Sequence, residues 1–146
     1  MPTQQGAAKF FTRSLTANHD GSSGAEHINA AAASQAINIG ATLPAKTYIV
    51  GVAIHSVTAF SGGTVGDFTV DIGTTDDADA LIDGANLFAA AVDGQAATRP
   101  LGIAPNKYFS AAGAQLKATF ACGSDDVGDA TAGSATIDVL CMSFDN

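Results

Sequence analysis

Residues 46–60, KTYIVGVAIHSVTAF, decide how this chain folds. The stretch is rich in β-branched side chains and poor in strong helix formers, so it predicts a long β-strand. Apolar residues occupy both alternating faces, with the larger ones at even positions and the smaller ones at odd positions. That pattern predicts a central strand covered on both sides.

The residues that lead into this strand nearly match a phosphate-binding loop. GATLPAKT at 40–47 differs from G-x-x-x-x-G-K-[ST] only at Ala45, where the loop needs its second glycine. Pro44 also removes a backbone N–H that would face a phosphate, and a strand follows where a phosphate loop leads into a helix. We therefore predict a turn between strands, no nucleotide site, and a Lys46 side chain that faces solvent or an interface.

Further segments alternate apolar and polar residues and predict additional strands. They span residues 36–39, 67–73, 114–122 and 134–144. The last of them begins half-exposed but ends apolar on both faces, so we expect another part of the chain or another subunit to cover that end. Short strands joined by Gly-rich turns predict an all-β fold, an antiparallel β-sandwich or jelly roll.

The N-terminal part of the chain has a different composition. Residues 16–34, TANHDGSSGAEHINAAAAS, are low in complexity and lack periodicity, so we predict an irregular arm over 1–34 and a β-sandwich domain over 35–146. One short helical segment is expected after Thr75, where acidic residues suit a helix N-terminus. Residues 85–92 predict a second short helix or a bulged strand.

The charge of the chain excludes some classes of partner. With 14 Asp and Glu against 6 Lys and Arg, the net charge is −8, and no cationic cluster is present. Binding of nucleic acid or of an anionic membrane surface is therefore not expected. The sequence has no apolar run of 18 residues and no secretion signal in MPTQQGAAKF, so we expect synthesis in the cytoplasm and no membrane span.

No motif in the sequence predicts catalysis. The acidic clusters at 76–83 and 125–129 do not fit an EF-hand loop, the three histidines are scattered, and G-x-S-x-G is missing. We therefore predict no catalytic, cofactor-binding or metal-binding residues. Solvated loop charges explain the acidic clusters better than calcium does.

The two cysteines, Cys122 and Cys141, lie on apolar faces of their predicted strands. If the segments 114–122 and 134–144 formed a direct hairpin, the two sulfurs would be about 20 Å apart, far beyond bridging distance. We predict two free, buried thiols.

The order of features over residues 36–144 resembles small virion proteins of tailed phages, the capsid decoration (cement) or head-fibre proteins. The resemblance lies in INIG, the turn TLPAKT, the strand YIVGVAIHSVTAF, VDIGTT with its acidic, Ala-rich continuation, and the closing segments LKATFACG and GSATIDVLCMSF. Many such proteins have Gly where Ala45 stands here. The resemblance implies a β-sandwich, often a homotrimer, that sits on the capsid surface without an active site or a cofactor.

We therefore expect a non-enzymatic virion structural protein that stabilises a phage head by contacting the major capsid protein. The expected capsid contacts in the arm are Lys9, Phe10, Phe11 and Arg13. The expected self-association residues are His55, Leu140, Met142 and Phe144. The alternatives are a receptor- or glycan-binding module on the virion, which the absence of Trp disfavours, a tail or major-capsid component, and a calcium-dependent enzyme.

Overall fold

The computed structural model describes residues 7–88, 109–110 and 112–144. Almost all regular structure in these residues is β. The strands are β1 (Lys9–Asn18), β2 (Glu26–His27), β3 (Ser34–Asn38), β4 (Thr47–Ser61), β5 (Thr69–Thr74), β6 (Ile82–Asn86), β7 (Phe109–Ser110), β8 (Leu116–Ala121) and β9 (Ala132–Ser143). Within the described ranges the helical segments are two 3-10 turns, Ser22–Gly24 and Val127–Asp129.

The strands form two sheets. The five-stranded sheet has the order β2-β1-β9-β4-β7, and the four-stranded sheet has the order β3-β8-β5-β6. Neighbouring strands are antiparallel except β1 and β2, which are parallel. Side chains from both sheets form one buried apolar cluster. The predicted all-β antiparallel sandwich is confirmed.

Three fully buried aromatic rings occupy the middle of the core. Phe60 and Phe68 stack with their ring centroids 4.4 Å apart, and Phe120 is tilted against both. Each ring comes from a different part of the chain, and stacked or tilted pairs add about 0.5–1.5 kcal/mol to the burial of their area. The inward faces predicted for 67–73 and 114–122 are confirmed, since their alternate apolar residues are all buried: Phe68, Val70, Ile72, Leu116, Ala118, Phe120 and Cys122.

β4 differs from the regular strand that the sequence pattern predicts. The pairing of β4 with β9 shifts between Ile49 and Gly51 and again between His55 and Thr58. At the first shift one extra residue enters β4, so Ile49 and Val52 both point inward whereas Val50 is 45% exposed. The predicted separation into an even face and an odd face is therefore wrong. Among the described residues the outer face of β4 is partly exposed, so the expected cover on both sides stays a prediction.

β1 corrects the prediction of an irregular arm at its N-terminal end. All ten residues from Lys9 to Asn18 pair with β9 in a continuous antiparallel register. The alternation of KFFTRSLTAN accounts for this, because Leu15 and Ala17 turn inward while the intervening threonines and serine face outward. Residues 19–33 are mostly irregular. The division of the chain at residue 34 stays a prediction, but β1 belongs to the five-stranded sheet.

The helix expected after Thr75 is absent, and residues 75–80 form bends and turns instead. The backbone N–H of Thr74 donates to Asp77, and Leu81 donates to Ile72, so the chain reverses and β6 pairs with β5. Sheet pairing satisfies the backbone here, which a single helical turn would not. Of the predicted segment 85–92, the described residues contain only the end of β6 and Leu87–Phe88; the remainder lies outside the described residues.

β8 and β9 do not form the direct hairpin that the estimate of the sulfur separation assumed. They lie in different sheets, and residues 122–131 connect one sheet to the other. The inward faces of β8 and β9 still carry Cys122 and Cys141, and both thiols are free and buried, as predicted.

Candidate interaction surface

The near-match to a phosphate loop is a turn, as predicted. Residues 45–46 turn directly into β4, and the hydroxyl of Thr47 donates to the Pro44 carbonyl oxygen at 2.7 Å. Thr47 is buried and Lys46 is exposed with a φ of 55°. Because a strand follows and no helix N-terminus is present there, the turn does not form the cradle that a phosphate group needs.

The outer face of the five-stranded sheet is built from rows that cross β1, β9 and β4. One row joins Phe10, Met142 and Tyr48, and the next outward-facing row joins Thr12, Leu140 and Gly51. The following rows are Ser14, Asp138 and Ala53, and then Thr16, Thr136 and His55. Large apolar side chains are therefore confined to one end of this face, and small or polar side chains occupy the rest.

We call the apolar end of this face the outer apolar patch. Its members are Phe10, Tyr48, Val50, Leu140, Met142 and Phe144. Five of them are the exposed large hydrophobic residues of the described chain, and Met142 lies half-buried between them. The rings of Tyr48 and Phe144 meet edge to face, with centroids 5.5 Å apart. A contiguous apolar patch of this kind is typical of a protein–protein interface rather than of ordinary solvent-exposed surface.

A hydrogen-bonded group borders the patch on the same face. The Ser14 hydroxyl donates to Oδ1 of Asp138 at 2.6 Å, and Nε2 of His55 lies 2.7 Å from Oδ2 of Asp138. Nδ1 of His55 lies 3.1 Å from the hydroxyl of Ser56. The hydrogen bond from Ser14, and to a lesser degree that from His55, lowers the pKa of Asp138 below its ordinary value. These bonds fix the carboxylate in place beside the patch.

The residues predicted for self-association all lie on this face. Leu140, Met142 and Phe144 belong to the outer apolar patch, and His55 lies three rows below Met142. The sequence pattern did not reveal that Phe10, Tyr48 and Val50 join them. That grouping depends on the pairing of three strands and on the bulge in β4, which a single-strand pattern does not contain.

The residues predicted for capsid contact do not share one surface. Phe10 is 63% exposed on the outer face, whereas Phe11 packs partly buried against the core. Arg13 donates from Nε to the Ala41 carbonyl oxygen at 2.9 Å, and its guanidinium lies 4.7 Å from the centre of the Phe11 ring. Phe11 and Arg13 therefore stabilise the fold beside the turn at 40–47. Lys9 is exposed at the start of β1.

Two aspartates outside the acidic clusters connect backbone segments by hydrogen bonds. Asp67 accepts a hydrogen bond from the Gly123 amide at 2.7 Å, and Asp71 accepts one from the Gly84 amide at 2.6 Å. Among the described residues, no three His, Cys, Asp or Glu side chains are grouped as a metal ion would require. The carboxylates of Asp67 and Asp71 therefore stabilise the fold.

A depression lies at the opposite end of the sheet from the outer apolar patch. Its volume is about 270 Å³, and Asn18, His19, Ser22, Thr58 and Ser134 are among the residues that line it. The Nδ2 atom of Asn18 donates to the Ser22 carbonyl oxygen, and Nδ1 of His19 lies 3.3 Å from the Gly133 carbonyl oxygen. These contacts hold the start of the irregular segment against β9.

The Cys141 thiol is unsuited to nucleophilic chemistry. Burial raises its pKa to about 11, and the nearby Arg13 offsets this only in part. Because the thiolate is the reactive form of cysteine, the thiol stays protonated and unreactive near neutral pH.

The described residues also contain no helix of the length and apolar character that a membrane crossing requires.

Comparisons with known proteins give one structural match. No protein-family model matches the chain, and no curated protein matches it. A solved structure described as the cyanophage Pam1 capsid asymmetric unit aligns over 98% of this chain and 89% of that chain, with 16% sequence identity and a TM-score of 0.48. At this level the similarity assigns neither a fold nor a function.

Proposed function

We propose that the chain is a structural protein of a tailed-phage virion, a decoration protein that sits on the capsid surface and contacts the major capsid protein. The observation that carries this proposal is the outer apolar patch on a broad, weakly charged sheet face. A decoration protein works by burying surface against its neighbours, and this stabilises the assembled particle by mass action.

The size of the patch suits such a contact. Five side chains that are 39–63% exposed present on the order of 400 Å² of surface, since large side chains carry roughly 150–250 Å² each. A standard interface buries about 800 Å² on each partner and surrounds an apolar centre with a polar rim. The outer apolar patch supplies the apolar centre, and the threonine and serine rows beside it supply part of the rim.

The strand order also supports the proposal. The first long strand, β1, pairs with the last, β9. With β2 left aside, the sheet orders are β1-β9-β4-β7 and β3-β8-β5-β6, and nearly every connection along the chain crosses from one sheet to the other. We infer from this order that the sandwich is a jelly roll with β2 added at one edge. Jelly rolls occur in viral capsid proteins and in lectins. Because a fold does not determine a function, the choice between these classes depends on the surface.

Capsid contact through the N-terminal residues is part of the proposal, in a narrower form than the sequence analysis expected. Lys9 and Phe10 are free to meet a partner, and residues 1–6 precede them. Phe11 and Arg13 are already engaged within the fold. The homotrimer implied by the sequence resemblance stays a prediction about the number of copies. A measurement of molecular mass tests it separately from capsid contact.

Removal from particles and rebinding test the proposal. Purified particles of the phage that encodes the chain are analysed by quantitative mass spectrometry, stripped of the protein, and incubated with increasing amounts of it. We expect the wild-type protein to be present and to rebind to saturation at a number set by the capsomers. The variant Phe10→Ser should rebind more weakly, and Ala36→Ser, which alters an exposed residue of the other sheet, should rebind normally.

The following outcomes would contradict the decoration proposal. Absence of the chain from purified particles would exclude a virion role. A few copies that fractionate with tails, or loss of the whole shell when the chain is deleted, would assign it to the tail or to the capsid shell. Binding to a glycan array at micromolar concentration would favour the glycan-binding alternative, for which the exposed rings of Phe10 and Tyr48 would be the first candidates.

A further inference from the structure

We infer that a second copy of this chain covers the outer apolar patch, packed face to face across a two-fold axis with its strands antiparallel to those of the first. The inference concerns self-association through a defined geometry. It stands on the surface of the described residues and does not depend on the proposed virion function. The neighbour that covers the outer apolar patch is then another copy of this chain, and contact with the major capsid protein falls to surfaces outside the patch. The pair also takes the place of the homotrimer that the sequence resemblance implies.

The first step is that contact between two copies must use the same surface on both. All five exposed large hydrophobic residues of the described chain lie in the outer apolar patch. An apolar contact with any other described surface would place this patch against polar groups. A self-complementary contact, in which the patch of one copy meets the patch of the other, is the arrangement that a two-fold axis produces.

The second step is the alternation of large and small rows. The row of Phe10, Met142 and Tyr48 is large throughout, whereas in the row of Thr12, Leu140 and Gly51 the two flanking positions are small. Gly51 has no side chain, and a Cβ atom built there would meet nothing within 4 Å, so the position is open; we call this open position the recess at Gly51. A two-fold axis perpendicular to the strands and level with Cys141 places the row of Met142 on the partner's row of Leu140, whose two flanking positions are small. Tyr48 of one copy then lies over the recess at Gly51 of the other.

The opposite arrangement fits poorly. An axis parallel to the strands would place the large row on the large row and the recessed row on the recessed row. Two sheets pack with a spacing of about 10 Å only when their side chains interdigitate. Facing large rows would hold the sheets apart and leave a void over Gly51, which costs the dispersion contacts that a dry interface provides.

The third step is the position of the charges. The Lys46 carbonyl oxygen accepts a hydrogen bond from the Phe144 amide, so Lys46 lies level with Phe144 at the top of the patch. Asp138 lies three residues beyond Cys141 in the other direction, which is about 10 Å at 3.4 Å per residue. The axis level with Cys141 therefore brings Lys46 of one copy towards Asp138 of its partner, twice in each pair. A parallel arrangement would bring lysine towards lysine.

Sedimentation velocity over a range of protein concentrations tests the inference. It is applied to the wild-type protein, to variants that add a ring, and to variants that exchange the charges of Lys46 and Asp138. We expect the wild-type protein to form a dimer and Gly51→Phe to remain monomeric at concentrations where the wild type is paired, because the new ring fills the recess. Ala36→Phe is the matched control, since it adds the same ring to an exposed strand position on the other sheet. It should dimerise like the wild type.

The charge exchange tests the antiparallel geometry itself. Lys46→Asp and Asp138→Lys should each weaken the dimer by about fivefold, since exposed ion pairs contribute little individually and each pair occurs twice. The double variant should recover most of the affinity. Urea unfolding shows whether each variant is folded, and Gly51→Phe keeps the test valid if Asp138→Lys unfolds through loss of its bonds to Ser14 and His55.

Four results would overturn the inference. These are a wild-type monomer at all concentrations, a trimer, a dimer that tolerates Gly51→Phe, and a charge exchange that restores nothing. These four results are obtained with the isolated protein and do not depend on the outcome of the particle experiment. A dimer that is absent from virions would contradict the proposed function alone, and a monomer that binds particles would contradict the self-association alone.

Discussion

The bulge in β4 leads to a sharp prediction about two neighbouring valines. Val50 is 45% exposed on the outer face, whereas Val52 is buried opposite Val139 of β9. Thr has nearly the shape and the strand propensity of Val, so Val→Thr changes little except the polarity of one group. Burying a hydroxyl without a hydrogen-bond partner costs roughly 1–3 kcal/mol. We therefore expect Val52→Thr to lower the free energy of unfolding by that amount and Val50→Thr to change it by less than about 0.5 kcal/mol.

Urea unfolding followed by circular dichroism measures both changes, and an unchanged dependence on urea concentration would show that compactness is unaltered. The measurement uses protein dilute enough to be monomeric, so that the exposed position is not covered by a partner. A regular strand would place Val50 and Val52 on the same face, and the two substitutions would then cost similar amounts. Equal losses, or a larger loss for Val50→Thr, would refute the bulge and with it the recess at Gly51.

Three more predictions concern other parts of the fold. Gly133→Ala should lower the free energy of unfolding by about 2 kcal/mol or more, because φ is 133° there and the new Cβ would collide with Phe60; thermal and urea unfolding measure this, and a neutral substitution would contradict the packing. The lowered pKa of Asp138 contributes stability at pH values above 3.8 that is lost as the pH falls through the folded-state pKa. Asp138→Asn should therefore destabilise the protein at pH 6 and much less at pH 3, and a difference that grows towards acid would be inconsistent with this sign. The buried thiols Cys122 and Cys141 should react with Ellman's reagent at pH 8 only after unfolding, and rapid labelling of the native protein would show that they are accessible.

The alternation of apolar and polar residues within single strands was enough to predict much of the core from the sequence. In DFTVDIG the apolar side chains at every second position are buried as the period of a strand requires, and the same holds for β8. These segments pair without bulges with each other, so their pattern stays in phase with the sheet. The turn before β4 was also predictable, because the proline and the missing glycine restrict its backbone locally.

Long-range pairing decided the features that the sequence did not reveal. The extra residue near Val50 is visible only in the register of β4 against β9, and it inverts the faces of the β4 residues after it. β1 was assigned to an irregular arm because residues 16–34 are low in complexity and lack periodicity, and its partner β9 lies more than a hundred residues away. β8 and β9 are adjacent in sequence but lie in different sheets, which no property of the connecting loop indicates.

The sequence likewise predicted only part of the candidate surface, and strand pairing revealed the rest. Leu140, Met142 and Phe144 stood out in the sequence because an apolar outer face at the end of a strand has no partner within that strand. Phe10 was noted as an aromatic anchor, but its neighbour Phe11 faces the core, and only strand pairing distinguishes the two. The recess at Gly51 arises from the bulge, so it could not be read from the residue order.

Hydroxyl-radical footprinting of the assembled particle tests the central claim, that the outer face of the five-stranded sheet is covered by protein in the assembly. The oxidation rates of Phe10, Tyr48 and Phe144 are compared between purified particles and the dilute, isolated chain, with the exposed His27 as the reference. The account predicts that all three rings lose most of their reactivity in the particle. Rings that react as fast in the particle as in the dilute chain would contradict it.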